Sequence, residues 1–319
     1  MSSEGIQVIF GGVSVGTFAP YNDAAYNQAA FKILHAHGVK TIDTAQAYGK
    51  SEKTLGDLKA GDLFTIDTKW PGGAGGATHA NLIRTGKESI EKLGVKQVDI
   101  FYLHSPDHTT SLSEQLAGVQ EAYKLGYFRR FGLSNFLAED VQKVYDFAKE
   151  HGYVLPTVYQ GNYSAVARLQ EQLLFPTLRK LGIAFYVYSP LAGGFLTKTA
   201  EDIKEGKGRF NDTFFAGMYK AMYVKSTYVD ALARWGAVAE AEGVSRAELA
   251  CRWVAFNPLL SKENGDGIVI GTRNNEQLEQ TLVSLKKGQL SERATRAIDE
   301  IWEAIKHEAP YDNVNRSLL

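Results

Sequence analysis

Eight short runs of β-forming residues recur along the chain, and each is followed by a longer segment with the period of a helix. This alternation is typical of βαβ units, whose strands run parallel. Most of the runs are continuously apolar, as expected for strands covered on both faces. The predicted strands are Val8–Val13, Thr41–Thr44, Phe64–Lys69, Val98–Leu103, Arg130–Leu133, Thr157–Gln160, Ala184–Tyr188 and Gly267–Ile270. Eight such units closing on themselves predict an α/β fold of the (β/α)8 TIM-barrel type.

No linker, internal repeat or low-complexity tract divides the 319 residues, so we predict a single domain over residues 1–319. Helix signals fall between the strands: Thr78 is placed to cap Asn81–Lys92, and Ser113 to cap Glu114–Leu125. One connection is longer than a simple loop. Residues 192–225 carry several glycines, and long glycine-bearing loops in compact domains are commonly functional. We therefore predict a lid over this segment.

Composition narrows the class of function. Hydrophobic residues make up 44% and charged residues 22%, which are ordinary globular values. The net charge of −1, without a basic run, argues against a nucleic-acid partner. The start of the chain shows no charged-then-apolar leader and no run reaches about 18 apolar residues, so we expect no membrane segment and a cytoplasmic location. The single cysteine, Cys251, cannot by itself build a structural zinc site, and no metal site is predicted.

The doubly wound sheet is the obvious alternative scaffold for a nucleotide-dependent enzyme. That fold places G-x-G-x-x-G between its first strand and first helix, with an acidic residue about 20 positions later. The glycines of Gly11–Gly16 have a different spacing, and no acidic residue follows at the required distance. A tight turn at a barrel mouth explains these glycines better.

Polar residues gather at the predicted carboxyl ends of three consecutive strands. Asp43 ends the second strand, Tyr48 follows it, Lys69 ends the third, and His104 ends the fourth. Taken singly, each has a structural explanation, such as a turn cap, a solvated cation or a packed ring. Because barrel enzymes build their active sites from the carboxyl ends of the strands, the joint placement predicts one catalytic cluster.

These residues lie in segments that resemble the aldo-keto reductases. The shared motifs are IDTAQAYG at Ile42–Gly49, DTKW at Asp67–Trp70, YLHSPD at Tyr102–Asp107, GLSN at Gly132–Asn135 and YSPLAGG at Tyr188–Gly194. The segments most similar to the aflatoxin-aldehyde reductase branch are YQGNYS at Tyr159–Ser164, LLFPTLRKLGI at Leu173–Ile183 and GRF at Gly208–Phe210. The resemblance runs from about Ile9 to Leu285 in the same order. It implies NADPH-dependent reduction of an aldehyde or ketone to an alcohol, and the branch favours a homodimer.

The resemblance also implies roles for the four polar residues. Tyr48 would donate the proton to the carbonyl oxygen, and Lys69, held by Asp43, would make the phenol more acidic. A lysine ammonium about 4 Å from a phenolate, at an effective dielectric of about 20, stabilises it by roughly 4 kcal/mol as an upper bound. His104 would donate a hydrogen bond that orients the carbonyl and stabilises its developing charge.

Matching motifs imply the cofactor-binding residues. Those expected at the nicotinamide are Ser134, Asn135, Gln160 and Tyr188, the last stacking on the ring. Those expected at the pyrophosphate are Ser189, Leu191 and Gly193. Those expected near the adenosine 2′-phosphate are Gly271, Thr272, Arg273, Gln277, Gln280 and Thr281. Relatives carry an arginine and an asparagine near Gln277 and Thr281, so the expectation of NADPH rather than NADH depends mainly on Arg273.

Aromatic and polar residues near the strand ends are predicted to line a substrate pocket. They are Phe18, Gln46, Trp70, Asn162, Tyr163, Phe214 and Tyr223. Such a lining favours an apolar or aromatic carbonyl compound. Members that accept a carboxylate-bearing substrate place an arginine close to Met222, so succinic semialdehyde is an unfavourable substrate here. The physiological carbonyl and the direction of reaction stay open.

Two other classes of function fit a barrel. A nucleotide-binding regulatory module, like the potassium-channel β subunits that share this fold, would bind NADPH with negligible turnover, and the complete set of four catalytic residues argues against it. A hydrolase or lyase would require a carboxylate pair or a metal cluster at the strand ends, and the sequence offers neither.

Overall fold

The computed structural model describes residues 5–212, 217–257 and 259–315. Eight parallel strands form a closed barrel in sequence order, which confirms the predicted (β/α)8 TIM barrel. The ring closes where Gln7–Phe10 pair with Gly267–Ile270. The strands are β1 (Gln7–Gly11), β2 (Thr41–Asp43), β3 (Thr65–Trp70), β4 (Val98–Leu103), β5 (Phe128–Ser134), β6 (Pro156–Asn162), β7 (Ala184–Tyr188) and β8 (Gly267–Ile270).

Three predicted strands, β4, β7 and β8, have the observed limits, and the others differ by one or two residues at an end. The prediction for β1 was too long at its end because Gly12–Ser14 turn into a short 3₁₀ helix. The prediction for β5 began too late. Phe128 and Arg129 also belong to the strand, in which the guanidinium of Arg130 binds Asp99 at 2.6 Å.

Helices cover the outside of the barrel. They are α1 (Ala24–Ala36), α2 (Ser51–Asp57), α3 (His79–Leu93), α4 (Leu112–Lys124), α5 (Ala138–Glu150), α6 (Gln170–Leu173), α7 (Phe175–Leu181), α8 (Ala200–Lys204), α9 (Met218–Tyr223), α10 (Ser226–Glu242), α11 (Arg246–Ala255), α12 (Asn275–Leu285) and α13 (Glu292–Ile305). Among the described residues, none of these helices combines the length and the apolar character required of a membrane span.

Capping explains where two of the helices begin. Thr78 caps α3 as predicted, since its hydroxyl accepts the N–H of Asn81. The predicted cap of α4 at Ser113 is wrong. The hydroxyl of Ser111 accepts the N–H of Glu114, and α4 starts at Leu112. The preceding threonine hydroxyls are taken by Asp107, which leaves Ser111 as the first side chain free to cap.

The inside of the barrel changes character along its axis. Inward-facing apolar and tyrosine side chains fill its middle: Ile9, Ile100, Tyr102, Val158, Ala184, Tyr186 and Val269. Successive residues of a strand alternate between the barrel interior and the helical layer, so Asp43, Lys69 and Gln160 also point inward but lie nearer the carboxyl ends. The side chains of Asp43, Lys69 and Gln160 therefore lie together at one mouth of the barrel.

The segment over residues 192–225 is more structured than a simple loop. It contains a 3₁₀ helix (Ala192–Thr197) and helices α8 and α9. Phe195 and Tyr223, both buried, stack with ring centroids 5.7 Å apart. The described part therefore packs on the barrel, and its opening and closing as a lid stays a prediction.

Candidate active site

A buried ion pair occupies the barrel mouth. The Nζ of Lys69 lies 2.7 and 2.6 Å from the two carboxylate oxygens of Asp43, and 2.8 Å from the carbonyl oxygen of Thr44. The Lys69 side chain is 0% exposed and that of Asp43 is 4% exposed. A buried ammonium is tolerated only when its charge is paired and its protons have acceptors. Both conditions are met, so Lys69 is held charged and in one position.

Tyr48 and His104 lie against this pair. The chain turns after β2, with the N–H of Tyr48 bonded to the carbonyl of Ala45 at 3.0 Å. The Lys69 Nζ is 5.2 Å from the centroid of the Tyr48 ring. The rings of Tyr48 and His104 meet edge to face with centroids 5.7 Å apart. The structure thus brings together all four residues that the sequence pattern selected.

The electrostatics of Tyr48 differ from the prediction that Lys69 makes its phenol acidic. Burial raises the pKa of Tyr48 well above its ordinary value, and the nearby Asp43 carboxylate and Tyr219 raise it further. Burial is the main cause of this shift, and the negative charge of Asp43 opposes the stabilisation that the Lys69 ammonium would give a phenolate. Tyr48 is therefore a neutral phenol that holds its proton firmly.

His104 is neutral as well. Burial, together with the adjacent Lys69 ammonium, lowers the pKa of His104 to about 3. A neutral imidazole carries one N–H donor and one acceptor nitrogen. His104 can accordingly donate a hydrogen bond to an oxygen at the mouth throughout the physiological pH range.

This lowered pKa predicts a pH-dependent stability. Between about pH 6.5, the ordinary histidine pKa, and about pH 3, the unfolded chain binds more protons at this position than the native chain does. The contribution of His104 is therefore fully present above pH 6.5 and is lost as the pH falls. Urea unfolding at about pH 7.5 and pH 5 should show a smaller loss of unfolding free energy in His104→Gln than in the wild type. Equal losses in the two proteins would contradict the prediction.

The side chains predicted to face nicotinamide form a network around the four residues. The Asn135 Nδ2 donates to the carbonyl of His104 at 2.9 Å and to the hydroxyl of Ser134 at 3.1 Å. The Tyr188 hydroxyl donates to the Asn135 Oδ1 at 2.7 Å. The Gln160 Nε2 donates to an Asp43 oxygen at 2.9 Å. The ends of β4, β5 and β7 are thus tied together through Asn135, and β6 is tied to β2 through Gln160 and Asp43.

The loop after β7 has an unusual backbone. Ser189, Ala192, Gly193 and Gly194 all have positive φ, at 56°, 51°, 68° and 102°. Turns of this kind can direct several backbone N–H groups into one concavity, which suits an anion. A Cβ on Gly193 would lie 2.2 Å from the ring of Tyr219, so close packing against Tyr219 is a second reason for glycine there.

The turn after β8 offers a further place for an anion. Asn274 caps α12 by accepting the N–H of Gln277 at 2.8 Å, so the positive end of that helix dipole faces the turn. Thr272 bonds to the Tyr21 hydroxyl at 2.9 Å, and the N–H of Arg273 donates to the Gln277 side chain at 3.2 Å. A Cβ on Gly271 would meet no atom within 4 Å, so the turn is open on that side.

Comparison with known proteins identifies the family. A family model described as "Aldo/keto reductase family" matches residues 7–303, a range that contains every strand of the barrel. The chain belongs to the aldo/keto reductase family. It is therefore an oxidoreductase that uses a nicotinamide cofactor, and the general reaction is reduction of a carbonyl compound.

Individual relatives of this aldo/keto reductase extend over most of its length. "Oxidoreductase sirO" of Leptosphaeria maculans is 38% identical over 306 residues, which cover 95% of this chain and 90% of the relative. "Aflatoxin B1 aldehyde reductase member 2" of Homo sapiens is 36% identical over 304 residues, covering 90% and 85%. "Aldo-keto reductase family 7 member A3" of Homo sapiens is 36% identical, covering 90% and 92%. The predicted resemblance to the aflatoxin-aldehyde reductase branch is confirmed.

Three further residues of this aldo/keto reductase were predicted to bind cofactor: Gln280 and Thr281 in α12, and Leu191 after β7. The Gln280 Nε2 contacts Glu276 at 3.3 Å on the exposed face, and the carbonyl of Thr281 accepts the Ser284 hydroxyl at 2.7 Å. Leu191 is partly buried beside the positive-φ loop. These placements leave their proposed cofactor contacts as predictions.

The predicted substrate pocket of this aldo/keto reductase is only partly assembled. The Asn162 Nδ2 lies 3.4 Å from the hydroxyl of Tyr223, which belongs to the segment that follows β7. Both residues are buried. Phe18 is 44% exposed. Phe214 lies outside the described residues. Asn162 and Tyr223 are therefore the predicted pocket residues that the structure brings into contact.

Three other residues that were predicted to line the pocket bind groups on neighbouring helices, so their part in the pocket stays a prediction. The Trp70 indole donates to the carbonyl of Leu82 in α3, because Trp70 follows the inward-facing Lys69 and alternation turns it to the helical layer. The Gln46 Nε2 is held by the α3 carbonyl of Thr85 at 2.9 Å. Tyr163 lies just beyond the end of β6 and donates to Glu171 at 2.6 Å. These side chains fasten the helices to the barrel.

Sequence reasoning missed three residues that surround the site. Tyr219 packs on Gly193 and raises the pKa of Tyr48, and it stands one helical turn before Tyr223 in α9. Asp312 and Asn315 lie against the network through Asn135. The spacing of Asp312 and Asn315 is a turn signal that can be recognised in the sequence. The sequence does not show that this turn contacts Asn135.

Proposed function

We propose that this aldo/keto reductase is an NADPH-dependent reductase of aldehydes or ketones with Tyr48 as its proton donor. The observation that carries the proposal is the buried cluster in which Lys69, fixed by Asp43 at 2.6 Å, lies 5.2 Å from the Tyr48 ring centroid and His104 meets the same ring. The bound dinucleotide supplies a hydride to the carbonyl carbon. Side chains of this chain transfer the proton and stabilise the charges that arise.

The proton balance gives Tyr48 its role. When the carbonyl carbon gains the hydride, the C=O π bond breaks and its electron pair becomes an alkoxide on oxygen. The Tyr48 O–H bond then breaks and its proton passes to that oxygen, which yields the alcohol and leaves a phenolate. A phenol with a raised pKa keeps its proton until the alkoxide forms, and an alkoxide is a strong enough base to take it.

Lys69 and His104 stabilise the charges that arise in this transfer. The Lys69 ammonium faces the aromatic ring on which the phenolate charge appears, and Asp43 prevents it from moving away. The N–H of neutral His104 is suited to donate to the carbonyl oxygen while that oxygen gains charge. Donors that are already fixed at such a position avoid reorganisation during the reaction and so lower the barrier.

The chain has groups suited to each part of the dinucleotide. Ser134, Asn135 and Gln160 present amide and hydroxyl groups beside the catalytic cluster, where a carboxamide can exchange hydrogen bonds with them. The positive-φ loop from Ser189 to Gly194 is suited to the pyrophosphate. Arg273, beside the start of α12, is suited to the 2′-phosphate.

The preference for NADPH can be tested at Arg273. A guanidinium that binds the 2′-phosphate contributes charge-assisted hydrogen bonds, so Arg273→Ala should weaken NADPH roughly ten- to a hundredfold and leave NADH nearly unchanged. Fluorescence titration of both cofactors measures this. Arg296→Ala, which removes an exposed guanidinium paired with Glu292 on α13, serves as the control. Equal losses for the two cofactors would place the 2′-phosphate elsewhere.

Steady-state turnover tests the function as a whole. The wild type should oxidise NADPH in the presence of 4-nitrobenzaldehyde, whereas a nucleotide-binding module would bind NADPH and oxidise it at the background rate. Met222 is buried next to Tyr223 in α9 and offers no charge for a carboxylate, which favours neutral aldehydes over succinic semialdehyde. A cytoplasmic location and a homodimer belong to the same proposal, and light scattering in solution tests the dimer.

A further inference from the structure

Asn135 is the centre of the network at the mouth. It directly follows β5 and has a left-handed conformation with φ of 61°, which asparagine adopts more readily than most non-glycine residues. Its amide bonds to the backbone carbonyl of the catalytic His104 at 2.9 Å and receives the Tyr188 hydroxyl at 2.7 Å. Any movement of Asn135 is therefore passed to the ends of both β4 and β7.

The C-terminal segment supplies another bond to this residue. After α13 the chain returns to the mouth, where Tyr311 and Asp312 are buried and the Gln170 Nε2 donates to the carbonyl of Tyr311 at 3.1 Å. One oxygen of Asp312 accepts the N–H groups of Val314 at 2.7 Å and Asn315 at 2.6 Å. These bonds fold residues 312–315 into a fixed turn.

The turn directs Asn315 at Asn135. The Asn315 Nδ2 donates to the second oxygen of Asp312 at 2.8 Å and to the backbone carbonyl of Asn135 at 3.0 Å. In the same turn the N–H of Asn313 approaches the Tyr188 hydroxyl at 3.5 Å. The C-terminal segment thus reaches one partner of the Asn135 side chain, the Tyr188 hydroxyl, and the backbone that carries this side chain.

We propose that Asn315 is a positioning residue for the active site. By holding the carbonyl of Asn135, it fixes the amide that orients the His104 backbone and the Tyr188 hydroxyl. Asn315 acts through Asn135 and touches no reacting atom. The effect on catalysis rests on the proposed function, whereas the effect on the backbone at Asn135 does not, so the two can be measured apart.

The experiment compares Asn315→Ala with Val314→Ala, its neighbour in the same turn, whose side chain is 49% exposed. Without cofactor, hydrogen exchange followed by mass spectrometry should be faster in the peptide that spans residues 134–137 of Asn315→Ala only. With NADPH and 4-nitrobenzaldehyde, kcat should fall about tenfold in Asn315→Ala while the KM for the aldehyde stays about constant, because misplaced catalytic groups mainly lower the rate of the chemical step.

Asn315→Asp adds a test that does not depend on volume. Aspartate has nearly the shape of asparagine but cannot donate to the Asn135 carbonyl, so its kcat should fall at least as much. An unchanged kcat in both Asn315 variants, or an equal fall in Val314→Ala, would overturn the proposal. Faster exchange in Asn315→Ala, in a chain whose wild type shows no turnover, would support the contact and reject the proposed function instead.

Discussion

Replacing Tyr48 with phenylalanine should lower kcat/KM for aldehyde reduction by roughly 10²–10⁴-fold, the usual size of general acid catalysis. The variant keeps the ring that meets His104 and faces Lys69, and it loses only the hydroxyl. The alkoxide must then take its proton from water, which is not held in place. Steady-state kinetics with NADPH and 4-nitrobenzaldehyde measures the loss.

Cofactor affinity and a second tyrosine provide the controls for this result. NADPH binding by fluorescence should stay close to that of the wild type in Tyr48→Phe. Tyr123→Phe removes a hydroxyl from a tyrosine that is 41% exposed on α4, and it should react at the wild-type rate. Wild-type activity in Tyr48→Phe would take the proton donor's role away from this residue.

Removing Lys69 should have the largest effect on stability. Lys69→Met leaves the Asp43 carboxylate buried without its counter-ion, and loss of one partner of a buried pair costs about 3–5 kcal/mol. Activity should also be lost, because no cation would face the Tyr48 ring. Urea unfolding gives the change in the free energy of unfolding.

A double variant separates the charge effect from packing. In Asp43→Asn with Lys69→Met neither member of the pair carries a charge, and the new amide oxygen can still accept the Gln160 Nε2. We expect most of the lost stability to return while activity stays absent. The coupling energy from the full cycle, with Asp43→Asn as the other single variant, measures the pair. If the double variant loses as much free energy of unfolding as the two single variants together, the charges are not coupled.

The pKa of Tyr48 shows why electrostatics needed the structure. The pattern of polar strand ends predicts a lysine beside a tyrosine, but it does not specify how the charge of Lys69 is shared with a carboxylate. Two contacts to Asp43 and the burial of the phenol reverse the expected direction of the shift. The role proposed for Tyr48 survives because an alkoxide can deprotonate even a weak acid.

The substrate pocket shows a different limit. Because Lys69 points into the barrel, alternation along β3 turns Trp70 outward to the helical layer, and this direction can be worked out from the sequence. For Gln46 and Tyr163 no such rule was available. Their polar ends are taken by Thr85 and Glu171, and these contacts depend on how α3 and α6 lie on the barrel.

The sequence by itself determined the eight strands, their closure into a barrel and the four residues at the mouth, because these follow from local patterns of period, turn chemistry and strand ends. Only the tertiary structure decided which groups meet across the mouth. Asn315 and Asn135 are 180 positions apart, and their contact exists because barrel closure and the return of the chain after α13 bring them together. A contact of that kind leaves no mark in the residues next to either partner.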